Sequence, residues 1–282
     1  MSDQLHVFLF ERFAARGALV HLSESWRAIR RLREYPQTLE RLLGESVVAS
    51  ALLASTLKRS TGSLIMQIQG QGPVKLLVAE CGSDFGLRCT ARWEGGLSAA
   101  APLAELIGNG HCAITVGGGG DRPMYQGIVP LEGATLTGAL ERYMDRSEQL
   151  ETRIWLFAGR QNAGGLLLQR VPQSEETDSD DFNRALHLGA TVTANEIYTL
   201  SAPALLRRLF AHEDVRLFSG RALRFRCTCT RDRVRNMLLM LGKAEVEQVI
   251  ADQGKVEVTC EFCNQAYAID PDECRAWFAR GH

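Results

Sequence analysis

Four cysteines near the end of the chain have the spacing of a metal site. Cys227 and Cys229 form a Cys-x-Cys pair, and Cys260 and Cys263 form a Cys-x-x-Cys pair. A Cys-x-x-Cys turn offers two sulfurs from one segment, and residues two apart on a strand point to the same side. Zn²⁺ takes four such thiolates in a tetrahedron, with Zn–S distances of about 2.3 Å. The two pairs together therefore predict a zinc site, whereas either pair alone would be a weak signal.

A bound metal would also explain how a small C-terminal unit folds. We predict that this unit spans residues 221–282, a length that leaves little core of its own. Structural zinc contributes roughly 10–16 kcal/mol in small zinc domains, against ~5 kcal/mol or less from such a core. We therefore expect removal of the metal to unfold the unit.

The same thiolates are the groups that oxidants attack. Oxidation could join Cys227 to Cys229 and Cys260 to Cys263, since cysteines close in sequence close the smallest loops. Disulfide sulfurs are poor zinc ligands, so oxidation and zinc release should be linked. The spacing alone leaves two interpretations open: a purely structural zinc ribbon and a redox switch.

Arginines are concentrated around the first cysteine pair. Four thiolates on Zn²⁺ carry an excess of negative charge, which nearby guanidinium groups can offset. Such a cluster can also bind phosphates, but the formal net charge of the chain is only −1. We expect these arginines to act mainly as partners of the thiolates: Arg224, Arg226, Arg231, Arg233 and Arg235.

The elements before the cysteines predict an α+β fold with a largely antiparallel sheet. Many short apolar runs of strand length occur with few helices between them, which favours antiparallel over doubly wound architecture. We predict strands at 5–10, 18–22, 63–69, 74–80, 86–93, 112–116, 125–131, 152–157 and 164–171. We predict helices at 23–35, 38–58 and 135–147, the second buried on most sides.

The amino-acid composition of the chain changes after Pro172. Residues 173–181 hold five acidic side chains and no large apolar one, which indicates an exposed linker. Residues 182–218 follow as short helices, which are marginal unless they dock on something. Beyond them we predict a strand at 224–230, helices at 232–241 and 244–252, a strand at 255–260 and a final helix from 270. The predicted parts are a core domain (1–172), a helical linker (173–220) and a zinc-binding domain (221–282).

Composition narrows the functional classes. The chain has 282 residues and 45% hydrophobic content, enough for a sizeable core. Residues 1–10 lack the pattern of a secretory leader, and the apolar stretch at 42–57 is too short to span a membrane and carries Glu45. We therefore expect a cytoplasmic protein with no membrane partner, in which clustered thiols stay reduced.

The residues around the cysteines resemble the redox switch of the thirty-three-kilodalton heat-shock protein family, bacterial chaperones of the holdase type. The resemblance extends beyond the cysteine motifs to the predicted core domain and linker. It is carried by Phe225-Arg-Cys-Thr-Cys-Thr-Arg231, Val256-Glu-Val-Thr-Cys-Glu-Phe-Cys263, Gln67-Ile-Gln-Gly-Gln-Gly-Pro73, Leu77-Val-Ala-Glu-Cys81, Tyr125-Gln-Gly-Ile-Val-Pro-Leu131, Ser147-Glu-Gln-Leu150, Leu167-Leu-Gln-Arg170, Arg208-Leu-Phe210 and Val215-Arg-Leu-Phe218.

This resemblance implies an ATP-independent chaperone rather than an enzyme. It implies that the core domain binds unfolding client proteins and that the linker folds over an apolar surface in the reduced, zinc-bound state. Oxidation of Cys227, Cys229, Cys260 and Cys263 would release Zn²⁺ and unfold the linker, and the protein would then dimerise and hold its clients. A marginal linker beside a metal-dependent unit is the kind of bistable element that such a switch needs.

Other interpretations have less support. A zinc-ribbon RNA-binding protein would use the arginines, and a thiol-disulfide oxidoreductase would turn over disulfide substrates. The Ser-x-x-Lys pattern at 55–58 lacks the companion motifs of acyl enzymes, and the glycine run at 117–121 lacks the lysine of a phosphate loop. The six histidines are scattered. We expect Cys81, Cys89 and Cys112, which lie in strand-like runs, to be small buried hydrophobic residues. Cys274 could divert a disulfide because it shares the small unit.

Overall fold

The computed structural model describes residues 2–57, 63–99, 101–117, 125–131, 135–172 and 179–279. The chain divides into two compact units, Met1–Arg226 and Cys227–His282. The functional division into 1–172, 173–220 and 221–282 stays a prediction.

The first unit is built from twelve strands and seven helices in its described part. In chain order these are β1 (Gln4–Phe10), β2 (Ala15–Leu22), α1 (Glu24–Arg31), α2 (Gln37–Thr56), β3 (Ser63–Gln69), β4 (Val74–Cys81), β5 (Gly86–Trp93), α3 (Leu103–Ile107), β6 (His111–Gly117), β7 (Tyr125–Pro130), α4 (Leu136–Arg146), β8 (Thr152–Ala158), β9 (Ala163–Arg170), α5 (Ser179–Gly189), α6 (Ala194–Thr199), α7 (Ala202–Leu209), β10 (Val215–Leu217), β11 (Arg221–Ala222) and β12 (Arg224–Phe225).

The strands form two sheets. The first has the order β10-β1-β2-β9-β8, with β11 also paired to β1, and the second has the order β12-β5-β4-β3-β6-β7. The pairings in both sheets are antiparallel except the short parallel pairing of β12 with β5. This confirms the predicted α+β class and its largely antiparallel character.

The long helix α2 is the centre of the first unit's core. It packs against β2, β8 and β9 of the first sheet and against β3, β4 and β5 of the second. Its residues Leu39, Val47 and Leu52 are fully buried in the same apolar cluster as side chains of both sheets. A helix flanked by sheets must be apolar on most sides, which confirms the prediction of a buried helix here.

A second apolar layer lies on the other face of the first sheet. Because side chains alternate along a strand, Leu167 joins the α2 core while Leu166 and Leu168 point to the opposite face. Helices α5, α6 and α7 cover that face. We call residues 179–210 the cover segment; its buried apolar side chains are Phe182, Ala185, Val192, Ile197, Ala202, Leu205, Leu206, Leu209 and Phe210.

Most predicted elements of the first unit are present, with shifted ends. The strands at 63–69 and 86–93 have the predicted bounds, and the strand at 74–80 is one residue longer. Helix α1 ends at Arg31, although the prediction carried it to residue 35. Helix α3 and strand β11 were not predicted, since each is short and docked by tertiary contacts. Residues 182–218 were predicted as short helices, which is wrong at the end of that range, because Val215–Leu217 pairs with β1 as strand β10. Residues 173–178 of the acidic run and 118–121 of the glycine run lie outside the described residues.

The second unit is small and contains α8 (Arg231–Leu241), α9 (Lys243–Gln253), β13 (Val256–Thr259), β14 (Ala266–Ile269) and α10 (Pro271–Ala279). Strands β13 and β14 form an antiparallel hairpin, with Val258 opposite Tyr267. Seven buried residues make its core: Val234, Leu238, Val246, Ile250, Val256, Ile269 and Cys274. Such a core is too small to hold a unit of this size without further support.

None of the described helices is both long enough and apolar enough to cross a membrane.

Candidate metal centre

The second cysteine pair lies in the turn between β13 and β14. The backbone N–H of Asn264 donates to the carbonyl of Cys260 at 2.8 Å, and the N–H of Cys260 donates to the carbonyl of Gln265 at 2.9 Å. Asn264 adopts a φ of 57°, a left-handed conformation that asparagine tolerates better than most residues. These bonds close a tight turn that holds both sulfurs of Cys260 and Cys263.

The first cysteine pair lies in irregular backbone without strand pairing, between β12 and α8. The predicted strand at 224–230 is therefore wrong after Phe225. The N–H of Arg226 makes a last bond to the carbonyl of Leu87, at 2.9 Å, and the chain then leaves the sheet. The hydroxyl of Thr230 caps α8 by accepting the N–H of Arg233 at 3.2 Å, which fixes the chain just after Cys229.

The four sulfurs converge. Those of Cys227, Cys229, Cys260 and Cys263 all lie within 4.8 Å of one another. The Cys227 and Cys260 sulfurs are 3.6 Å apart, and the Cys229 and Cys263 sulfurs are 3.4 Å apart. Sulfurs at about 2.3 Å from a tetrahedral ion are separated by about 3.8 Å. The cluster therefore has the dimensions that a metal ion with four thiolate ligands requires.

The surroundings of the cluster disfavour ionisation of its thiols when no cation is bound. Burial, together with hydrogen bonding to the neighbouring cysteines, raises the pKa of the Cys263 thiol well above its ordinary value. Packing thiols together disfavours their ionisation, and a bound cation reverses that preference by interacting directly with the thiolates. Among the residues that the structure describes, these four cysteines form the group whose ligand atoms lie close enough together to hold a metal ion.

Tyr267 touches the cluster and was missed by the sequence analysis. Its hydroxyl donates a hydrogen bond to the sulfur of Cys229 at 3.1 Å, and that bond is the main reason why the pKa of Tyr267 rises to about 12. The strand β14, on which it lies, was not predicted. The turn residues after Cys263, followed by the alternating Ala266-Tyr-Ala-Ile269, are the local signal that would have identified it.

The remaining cysteines lie away from the four sulfurs. Cys81, Cys89 and Cys112 are buried in the first unit, where burial raises the pKa of each thiol to about 12. Cys274 is fully buried in the apolar core of the second unit, and burial raises its pKa as well. Buried, neutral thiols react slowly, so these four fit a packing role.

The arginines near the first pair mostly have partners other than the thiolates. Arg224 and Arg226 both pair with Asp84, Arg231 pairs with Glu273 at 2.6 Å, and Arg235 pairs with Asp232 at 3.2 Å. Arg233 donates to the hydroxyl of Thr228, which lies between the two cysteines. The expectation that these five arginines act mainly as partners of the thiolates is therefore wrong: four of them form ion pairs with three carboxylates.

The other sequence patterns have structural explanations where they are described. The hydroxyl of Ser55 donates to the carbonyl of Leu52 within α2 at 2.6 Å, so it is bound to its own helix. Lys58 lies outside the described residues.

Comparisons with known proteins agree with this arrangement. A model of the Hsp33 protein family matches residues 3–270. The 33 kDa chaperonin of Methylobacillus flagellatus is 44% identical over 279 residues, which cover 99% of this chain and 95% of that protein. The 33 kDa chaperonin of Nitrosococcus oceani is 45% identical over 268 residues, which cover 95% of this chain and 91% of that protein.

A solved structure shares the fold. The crystal structure of the 33 kDa chaperonin from Thermotoga maritima aligns with a TM-score of 0.82 and covers 98% of both chains, at 21% identity. These relatives are named as chaperonins, in agreement with the prediction of a chaperone rather than an enzyme. The family match over nearly the whole chain and the 44–45% identity of the curated relatives establish that this protein belongs to the Hsp33 family of chaperones.

Proposed function

We propose that the protein is a redox-regulated, ATP-independent holdase whose switch is a Zn²⁺ site formed by Cys227, Cys229, Cys260 and Cys263. The observation that carries the proposal is the convergence of these four sulfurs within 4.8 Å. Four thiolates in a tetrahedral arrangement are the donor set that Zn²⁺ occupies in structural sites. Bound Zn²⁺ would neutralise the thiolates and join the two cysteine segments.

The proposed oxidation uses the sulfur lone pairs of these residues. A thiolate attacks a peroxide oxygen, the O–O bond breaks, hydroxide leaves, and a sulfenic acid results. The neighbouring thiolate then attacks that sulfur, forms the S–S bond and expels a second hydroxide. The proposed pairs are Cys227–Cys229 and Cys260–Cys263. The two short sulfur contacts in the structure join one cysteine segment to the other. Once the cation is lost and the segments separate, only cysteines that are neighbours in sequence would stay close enough to react.

The cover segment supplies the apolar surface that the proposal requires. Its helices α6 and α7 have six and eight residues, too few to be stable apart from the sheet on which they dock. Undocking would expose Phe8, Phe10 and Leu19 together with the apolar side chains of the segment itself. A contiguous apolar surface of this kind binds unfolding proteins without sequence preference.

The coupling follows from the position of the switch in the sequence. We propose that residues 1–172 form the client-binding domain, residues 173–220 the metastable linker and residues 221–282 the switch domain. Loss of the metal unfolds the switch domain, and the linker then undocks. The exposed apolar surface would also favour a homodimer in the active state. We place the protein in the cytoplasm, where reducing conditions keep the four thiols metal-bound until oxidants accumulate.

The decisive experiment compares two forms of the same protein. A thermally unfolding client is heated with the reduced, zinc-bound protein or with protein treated with peroxide, and light scattering follows aggregation. We expect protection only from the oxidised form, with one zinc released per chain. Equal protection by both forms would remove the switch from the proposal and leave an unregulated chaperone.

The RNA-binding alternative would use the arginines around the first cysteine pair. Four of these five arginines form ion pairs with carboxylates, which compete with phosphates for the guanidinium groups. Salt-dependent RNA affinity carried by these arginines would favour this alternative over the holdase.

A further inference from the structure

On the basis of the proposed redox function, we infer that Tyr267 is a positioning residue that slows the oxidation of Cys229. It acts through the hydrogen bond from its hydroxyl to the Cys229 sulfur, at 3.1 Å. The residue that sets the reactivity of this sulfur would thus lie outside both cysteine motifs.

The hydroxyl is held in place by the hairpin that carries the other cysteine pair. Tyr267 lies on β14 directly opposite Val258 on β13, two residues before Cys260. Its side chain is half-buried and packs against the apolar core of the second unit. The phenol therefore approaches Cys229 from a rigid support, with little loss of side-chain freedom on forming the bond.

The bond weakens the sulfur as a nucleophile. In the oxidation step the sulfur donates a lone pair to a peroxide oxygen, an S–O bond forms, and the O–O bond breaks with departure of hydroxide. A hydrogen bond to the sulfur stabilises that lone pair before reaction and is weakened as the S–O bond forms. The hydrogen bond therefore raises the barrier to attack while leaving Cys229 able to bind a metal ion.

The sulfur of Cys229 lies 3.4 Å from that of Cys263. Cys229 accepts its bond from a side chain, and replacing that side chain with phenylalanine removes one hydroxyl while preserving the ring. The effect of the Tyr267 hydroxyl on the oxidation rate of Cys229 can therefore be measured by itself.

The first test measures oxidation site by site. Zinc-bound wild type and Tyr267→Phe are treated with limiting peroxide, and free Cys229 is quantified over time by alkylation and peptide mass spectrometry. We expect Cys229 to be lost about fivefold faster in the variant, the factor that corresponds to one ordinary hydrogen bond. Tyr125→Phe is the matched control, since it removes an exposed hydroxyl in the other unit.

The second test needs no oxidation. With Co²⁺ in place of Zn²⁺, loss of the hydrogen bond should move the sulfur-to-cobalt charge-transfer band of Tyr267→Phe to longer wavelength, because the sulfur lone pair rises in energy. The ligand-field bands, which report tetrahedral geometry, should stay unchanged. A purely structural role for Tyr267 would change the ligand-field bands or the thermal stability instead.

The outcomes separate this inference from the proposed function. If wild type releases zinc on oxidation but Tyr267→Phe loses Cys229 at the same rate, the role of Tyr267 is refuted. If wild type keeps its zinc after peroxide, the redox switch fails, and the cobalt spectrum alone decides whether Tyr267 acts on the sulfur. An unshifted charge-transfer band would then overturn the inference as well.

Discussion

The ring of Phe210, at the end of the cover segment, meets the ring of Phe10 on β1 edge to face, with centroids 5.1 Å apart and planes at 82°. The same ring lies 6.0 Å from that of Phe8. Aromatic pairs in this geometry add to the stabilisation from burial alone. The cover segment is thus held to the sheet by apolar contacts at its end as well as along its helices, and these contacts can be weakened without touching the cysteines.

Replacing Ala185 with Asp should activate the chaperone without oxidation. Ala185 is fully buried between α5 and the first sheet, and a carboxylate there would lack compensating partners, at a cost of several kcal/mol. We expect Ala185→Asp to retain its metal, to bind a hydrophobic dye and to protect a heated client in the reduced state. Asn183→Asp introduces the same charge at an exposed position of α5, and it should behave as wild type. If proteolysis shows that the cover segment of reduced Ala185→Asp has undocked and the variant still does not protect the client, the proposed role of the segment is contradicted.

Loss of a metal ligand should unfold the second unit. We expect Cys227→Ser or Cys260→Ser to abolish tight metal binding and to remove the metal-dependent unfolding transition, since the small core cannot replace the roughly 10–16 kcal/mol of a structural site. Metal content and calorimetry check this. Cys274→Ala is the control in the same unit: it leaves all four ligands in place and should cost about 1 kcal/mol while keeping one metal per chain. A ligand variant that keeps its metal and its melting profile would refute the site.

Glu45 should make the first unit less stable as the pH rises. Burial, only partly offset by Arg41, raises the pKa of Glu45 to about 7 from its ordinary value of 4.5. The folded state therefore holds a proton that the unfolded state has lost, and stability falls between pH 4.5 and 7. We expect Glu45→Gln to flatten that decline and to stabilise the unit at pH 8 by about 3 kcal/mol. Urea unfolding at pH 5 and pH 8 measures the free energy of unfolding of both proteins. An equal decrease between the two pH values in wild type and variant would contradict the prediction.

Asp3 should make the first unit less stable as the pH falls, the opposite of the effect of Glu45. Although burial opposes its ionisation, hydrogen bonds from Ser25, Ser23 and Glu24 outweigh that effect and lower the pKa of Asp3. Its carboxylate accepts the N–H groups of Ser23 at 2.6 Å and Ser25 at 2.5 Å, and these bonds fix the start of α1.

The contribution of Asp3 is present above its unfolded pKa and is lost as the pH falls through the lower folded value. Asp3→Asn should therefore cost about 2 kcal/mol at pH 7 and progressively less under acidic conditions. Chemical unfolding of both proteins from pH 7 downward measures this, and a difference that stays constant or grows would show that the charge is not responsible.

Local patterns account for most of the fold and for the ligands of the site. The apolar runs at Ser63–Gln69 and Gly86–Trp93 predicted both strands with the bounds that the structure has. The cysteine spacing identified four side chains whose sulfurs the structure brings together. Such features are encoded within a few residues of one another.

Features that depend on distant contacts were not predictable. The strand expected through Cys227 and Cys229 ends at Phe225, because its partner β5 pairs with it over two residues only. The clustering of the arginines near the first cysteine pair did not indicate that Asp84 is their partner, because Asp84 is 140 residues from Arg224. The bond between Tyr267 and Cys229 joins residues 38 apart. Only the folded chain brings these groups together.

The two cysteine segments are 33 residues apart, measured from Cys227 to Cys260, and helices α8 and α9 lie between them. An ion that joins both segments closes that whole stretch into a ring and so limits the unfolded chain in the way a long-range disulfide does. The proposed disulfides each close a ring of only a few residues. Oxidation would thus replace the metal–sulfur bonds with two disulfides and yet leave the second unit with fewer long-range constraints than before.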